Sequence, residues 1–138
     1  HFKRINDDFG HQVGDAVLEI MSQTLLDCVR ESDVVGRYGG EEFLIVMPHA
    51  DILAAREFGE RLLNDVRNIE VPHSNGRQLS ISVGIAVYNP HGPRLTPADQ
   101  IHKADQALYR SKRDGRDCLT VDSLSVVAAD DKAPATPA

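Results

Sequence analysis

The 138 residues predict an α/β fold, in which a central sheet containing an antiparallel hairpin is flanked by helices. Three observations predict it. Apolar residues recur at three- and four-residue spacing in three separate segments, one stretch alternates large with small residues, and one β-rich run is divided by paired glycines.

The first periodic segment runs from Asp15 to Arg30, where Val17, Leu18, Met21, Leu25 and Val29 fall on one helical face and Asp15 stands as cap or first-turn acid. Asp33 to Met47 is rich in Val, Ile, Tyr and Phe, and Gly39-Gly40 splits it into two hairpin strands, the second closed by Pro48. Ile52, Ala55, Phe58, Gly59, Leu62, Leu63 and Val66 restore the helical repeat. "HSNGR", His73 to Arg77, is a turn. Leu79 to Val87 places large residues at every second position, as a strand central to the sheet and packed on one face would. Thr96-Pro97-Ala98-Asp99 predicts a capped helix start, Ile101, Ala104, Leu108 and Ser111 continue that helix, and Asp114-Gly115 ends it. A short edge strand, Cys118 to Val121, follows. The order is helix, hairpin, helix, strand, helix, short strand, with no strand ahead of the opening "HFKRIND". We expect residues 1–121 to form one domain and the Ala-, Asp- and Pro-rich residues 122–138 to be a disordered tail.

Composition narrows the function. A formal charge of -6 lacks the clustered Lys and Arg that bind a nucleic-acid polymer, although a small phosphate ligand remains compatible. Cys28 and Cys118 form no CxxC pair, so two reduced, buried thiols in a cytoplasmic protein are expected. The six histidines show no metal-site spacing, and no apolar run approaches the length of a membrane span.

One stretch asks for a chemical explanation. In "VVGRYGGEEFLIVMP", Val34 to Pro48, two glycines at a hairpin tip offer positive φ angles and open backbone, and two adjacent carboxylates follow them at once. Glu41 and Glu42 should alternate across the strand and repel, a repulsion that a hard cation such as Mg²⁺ or Mn²⁺ would relieve. A solvated tip with surface acids explains the same residues without a ligand.

The surrounding motifs resemble one family. "RYGGEEF" at Arg37 to Phe43 is similar to the signature of GGDEF domains, the diguanylate cyclases, in the GGEEF form. "HFKRINDDFGHQVGD" at His1 to Asp15, "SVGIA" at Ser82 to Ala86 and "ADQALYRSKRDGRD" at Ala104 to Asp117 resemble further segments of that family in the same order. The resemblance implies a palm-like sheet similar to that of nucleotidyl cyclases and polymerases. It also implies condensation of two GTP into cyclic di-GMP, with loss of pyrophosphate, across a homodimer. Glu41 matches a metal ligand and catalytic base, and Glu42 a carboxylate beside the metal. Gly39 and Gly40 match backbone that borders the triphosphate, Asn6 and Asp15 the guanine readers, and His11 a nearby nucleotide contact. Phe2, Lys3, Lys112 and Arg116 match phosphate-binding positions. Arg30 and Asp33 in "RESD" match the family's RxxD inhibitory site for cyclic di-GMP, with Arg61 as a further contact.

The family's first strand carries a metal-binding Asp that would fall just before His1, and neither it nor the preceding helix is among these residues. The resemblance therefore implies either a longer protein, with an upstream sensor and any membrane attachment, or a domain that senses cyclic di-GMP through RxxD without catalysis.

Overall fold

A computed structural model describes residues 1–122; of the predicted tail, 123–138 lie outside the described residues. The chain forms two compact units, one of His1–His49 with Asn64–Ser80, the other of Ala50–Leu63 with the residues from Ile81 onward.

The first unit opens with a helix the periodicity reading did not assign, α1, Phe2–Phe9. Phe2, Ile5 and Phe9 share one face, and Ile5 is buried. Gly10 ends it in the left-handed region, at φ 90°, and its N–H returns to the Asn6 carbonyl at 2.8 Å. Helix α2, His11–Cys28, begins on the next residue. Asp15 is thus inside the helix and does not cap it, because the Gly10 break sets the start four residues earlier. Val17, Met21 and Leu25 are buried as the periodicity requires, while Val29 is already extended beyond the helix end.

The hairpin follows as β1, Val34–Arg37, and β2, Phe43–Val46, antiparallel with Val34 opposite Val46 and Arg37 opposite Phe43. Helix α3, Ile52–Arg67, contributes its last turn to this unit, with Val66 fully buried. The turn at residues 73–77 carries His73, Asn75 and Gly76 at positive φ, and Val71 N–H to Arg77 O, 2.8 Å, closes it. Arg77 then donates to Asp8 at 2.9 Å and lies over the Phe9 ring, which fastens this turn to the end of α1.

In the second unit, β3, Val83–Ile85, runs parallel to β4, Leu119–Val121. The strand is shorter than the alternation from Leu79 to Val87 predicts, since ladder bonds need a partner and β4 offers only three residues. Among the described residues β4 is its one strand partner, so β3 is not the central strand expected. Helix α4, Pro97–Arg113, has the predicted capping box: Thr96 Oγ1 accepts from Asp99 N–H at 3.1 Å, and the Asp99 carboxylate accepts from Thr96 N–H at 3.0 Å. It packs on β3 at Gly84, where a Cβ would stand 2.2 Å from the Ala104 carbonyl and 2.3 Å from Leu108 N. Buried Ser111 donates to Val83 O at 2.8 Å and shares a hydrogen bond with Thr120.

Asp122, the first residue of the predicted tail, is itself packed. Its N–H donates to Ile85 O at 2.7 Å, and its buried carboxylate faces Arg110 at 3.6 Å. Neither cysteine is joined in a disulfide, as expected, but both are half-buried and not enclosed. Cys28 Sγ reaches Asp65 at 3.3 Å, and Cys118 Sγ reaches the Ser111 carbonyl at 3.5 Å, because each sits where an element ends.

Candidate active site

The hairpin tip is built from backbone closure and one side chain. Tyr38 N–H and Gly39 N–H both donate to the Glu42 carbonyl, at 2.8 and 3.2 Å, which leaves Gly39, Gly40 and Glu41 as the turn. Arg37 Nε donates to Gly39 O at 3.3 Å and to Gly40 O at 3.1 Å, and its Nη2 also reaches Gly40 O. Neither glycine takes a positive φ, contrary to the expectation from a tight hairpin, because three residues share the reversal. Their use is space. Nothing lies within 4 Å of a Cβ built on Gly40, and one on Gly39 would touch only Glu42.

Glu41 and Glu42 precede β2, so strand alternation does not govern them as the sequence reading expects. Glu41 is exposed and, among the described residues, makes no hydrogen bond or ion pair. Glu42 is half-buried and engaged with its surroundings. Among the described residues no three His, Cys, Asp or Glu side chains converge as a ligand cluster. One free carboxylate with a second beside it fits Mg²⁺ or Mn²⁺, which can take one or two protein carboxylates and fill the remaining positions with water and substrate phosphate oxygens. It does not fit a metal held in an all-protein cage.

Of the predicted base readers, Asn6 rests against Gly14 of α2, and Asp15 is the residue after that glycine. A Cβ on Gly14 would stand 1.7 Å from Asn6 Oδ1 and 3.3 Å from Phe2 Cζ, so that buried glycine is the floor on which both side chains rest. Asp15 follows it on α2 and is exposed, as are His11 and Lys3. An amide and a carboxylate are the groups that suit the donor and acceptor edge of a purine. Lys112 and Arg116 belong to the second unit. Lys112 lies in the last turn of α4, and Arg116 stands in the left-handed region at φ 64°, between Gly115 at 111° and Asp117 at 49°. Its N–H donates to Ser111 O at 2.9 Å.

Arg30 and Asp33 are assembled into one structure. Arg30 Nη2 and Nε reach the Asp33 carboxylate at 3.1 and 3.4 Å, Arg30 N–H donates to it at 2.8 Å, and Nη2 also donates to Pro48 O at 3.2 Å. The Arg30 side-chain hydrogen bonds hold the Asp33 carboxyl below the usual carboxylate range, against the opposing effect of burial, with the Arg30 backbone N–H and charge adding to the lowering. Arg61 lies in the other unit, exposed on α3 with its guanidinium 5.6 Å from the Phe58 ring centroid.

Two residues of this region escaped the sequence reading. Gly14 carried a signal, an isolated glycine inside a helical pattern, which usually marks close packing. Arg37 lay inside the quoted motif, but its use depends on where the two glycine carbonyls point.

The first unit thus combines a glycine hairpin tip of open backbone with an exposed, unpaired carboxylate at Glu41. The family model described as "Diguanylate cyclase, GGDEF domain" matches residues 1–118, and the chain belongs to that family. Diguanylate cyclase DgcP of Pseudomonas aeruginosa is 43% identical over 121 residues, covering 88% of this chain and 18% of the relative. The chain thus spans about a fifth of that relative's length. Among solved structures, the active GGEEF domain of a diguanylate cyclase from Vibrio cholerae superposes with a TM-score of 0.81 at 30% identity, over 88% of this chain and 76% of that one. The GGDEF domain of DgcB from Caulobacter crescentus, in complex with c-di-GMP, gives 0.79 at 29% identity, over 88% and 72%.

Proposed function

We propose that this chain is a diguanylate cyclase domain, which condenses two GTP into cyclic di-GMP and releases two pyrophosphates. The observation that carries the reading is an unpaired, exposed Glu41 beside the open backbone of Gly40, in a chain of this family. Asn6 and Asp15 read the guanine edge, with His11 beside them. Phe2 and Lys3 hold phosphate from α1, and Lys112 and Arg116 supply phosphate-binding cations. Each GTP 3′-oxygen attacks the α-phosphorus of the other GTP, its proton passing to a base for which Glu41 is the candidate, and pyrophosphate leaves. Glu41, with Glu42 beside it, would hold Mg²⁺ or Mn²⁺, whose charge when bound polarises the phosphate oxygens and lowers the pKa of the attacking hydroxyl.

Two such attacks, one in each direction, suit a two-fold homodimer. Arg30 and Asp33 form the feedback site: the carboxylate and the Pro48 carbonyl hold the guanidinium through Nε and Nη2, which leaves Nη1 to donate to guanine O6 or N7. The domain works in the cytoplasm, where GTP is found, beneath an upstream sensor.

The test is conversion of GTP with Mg²⁺ into cyclic di-GMP by the protein with its native upstream residues, followed by chromatography and mass spectrometry. Product from the native protein, and a loss of at least about 10²-fold in Glu41→Gln, is the expected result. Unchanged synthesis by Glu41→Gln overturns the assignment of that residue. A second reading, a silent cyclic di-GMP receptor, draws on the preformed Arg30–Asp33 pair and on the c-di-GMP complex of DgcB. It predicts saturable binding, abolished by Arg30→Ala, with no turnover.

A further inference from the structure

The Arg37 side chain is the part of the hairpin tip to which no role has yet been given. Its guanidinium accounts for the carbonyl oxygens of both Gly39 and Gly40. A trans peptide unit points its C=O and its N–H in opposite directions. With both carbonyls drawn toward Arg37, the amide N–H groups of Gly40 and Glu41 must both face away from it. Among the described residues neither N–H has a hydrogen-bond partner, whereas the flanking amides of Tyr38 and Gly39 are both satisfied by Glu42 O. No Cβ stands over Gly40, and nothing would crowd one there. The turn therefore presents two successive, parallel donors on an open face, the arrangement that backbone uses to hold an anionic oxygen.

We propose that Arg37 is a positioning residue, which fixes the Gly39 and Gly40 carbonyls so that the Gly40 and Glu41 amides form a donor pair for a phosphate oxygen of the nucleoside triphosphate. This rests on the proposed GTP-dependent function and deepens it. Arg37 acts through the backbone and on the side opposite to the ligand. Its positive charge also neutralises the two carbonyl dipoles that would otherwise weaken an anion site. The same restraint holds the Glu41 backbone, and hence the origin of its side chain.

A role of this kind makes separate demands on shape and charge. A lysine in this position would keep the charge but not the fork that reaches two carbonyls at once, so Arg37→Lys should recover little. Free guanidinium added to Arg37→Ala should recover more, since it restores the donors without the tether.

The experiment is amide NMR of ¹⁵N-labelled protein titrated with GTP and Mg²⁺, with steady-state kinetics on the same samples. In the native protein the Gly40 and Glu41 amide protons should move downfield on binding. In Arg37→Ala both should move far less, KM for GTP should rise about tenfold, and millimolar guanidinium should reverse at least part of that rise. A thermal melt confirms that the variant is folded; if it is not, Arg37→Gln takes its place. Equal amide shifts in native and variant protein overturn the inference and leave the cyclase reading intact. Absence of any GTP-induced shift in the native protein overturns both.

Discussion

At the scale of the residue, the acid at Asp33 shows how a weak motif becomes a structure. Its carboxylate accepts from Arg30 three times, through Nε, Nη2 and the backbone N–H. The folded-state pKa is lowered, so the ionised form stabilises the fold at pH values above the unfolded pKa of about 3.9, and that contribution is lost as pH falls through the folded value. Carboxyl ¹³C titration should find Asp33 below the ordinary Asp midpoint, and Arg30→Ala should move it back up. If the midpoint stays low in the variant, Arg30 is not its cause. Gly14 makes a second prediction. Alanine there gains about 1 kcal/mol of intrinsic helix propensity. The new Cβ would meet Asn6 Oδ1 at 1.7 Å, so the Asn6 side chain must swing aside, which the end of a flexible, half-buried side chain does at little cost. Gly14→Ala should therefore leave stability by denaturant titration unchanged or slightly raised while GTP binding weakens, because the side chain it displaces is a proposed guanine reader.

At the scale of the element, boundaries were legible where the signal was local and illegible where it came from a partner. Helix α4 begins where Thr96, Pro97 and Asp99 say it should, since a capping box is complete within four residues. The backbone and side-chain hydrogen bonds of Thr96 lower the Asp99 pKa, so the carboxylate half of this cap is fully present above the ordinary Asp range and is lost in acid, while the bond from Asp99 N–H to Thr96 Oγ1 remains. Thr96→Ala should cost about 1 kcal/mol at neutral pH and less as the pH falls toward 3, which chemical denaturation at two pH values would check. Helix α1 had a visible face in Phe2, Ile5 and Phe9, but eight residues offer too few repeats for periodicity alone to assign a helix. Strand β3 shows the opposite failure. Alternation from Leu79 to Val87 describes which side chains can pack, whereas the ladder depends on three residues of β4 more than thirty positions later. The candidate site divided in the same way: Glu41, Asn6 and Asp15 came from a motif, while the seat at Gly14 and the Arg37 clamp came only from three-dimensional contact.

At the scale of the whole molecule, the stoichiometry of the proposed reaction gives a test of the proposed two-fold homodimer. Each cyclic di-GMP requires two attacks, and each attack forms one 3′–5′ phosphodiester and releases one pyrophosphate. If every protomer brings one Glu41, a dimer with one native and one Glu41→Gln chain retains one competent half. The first attack then joins two GTP into a linear dinucleotide that keeps a 5′-triphosphate, with one pyrophosphate released. Ring closure needs the second half and stalls. Mixing native protein with a large excess of Glu41→Gln should therefore lower cyclic di-GMP while the linear dinucleotide accumulates, and the ratio of pyrophosphate to joined nucleotide pairs should fall from two toward one. Mass spectrometry separates the two products, and a phosphate-release assay after pyrophosphatase gives the ratio. Should cyclic product fall without any linear species, either the first attack already requires both carboxylates or Glu41 does not serve one attack per protomer. In either case the division of labour between the two halves proposed here fails.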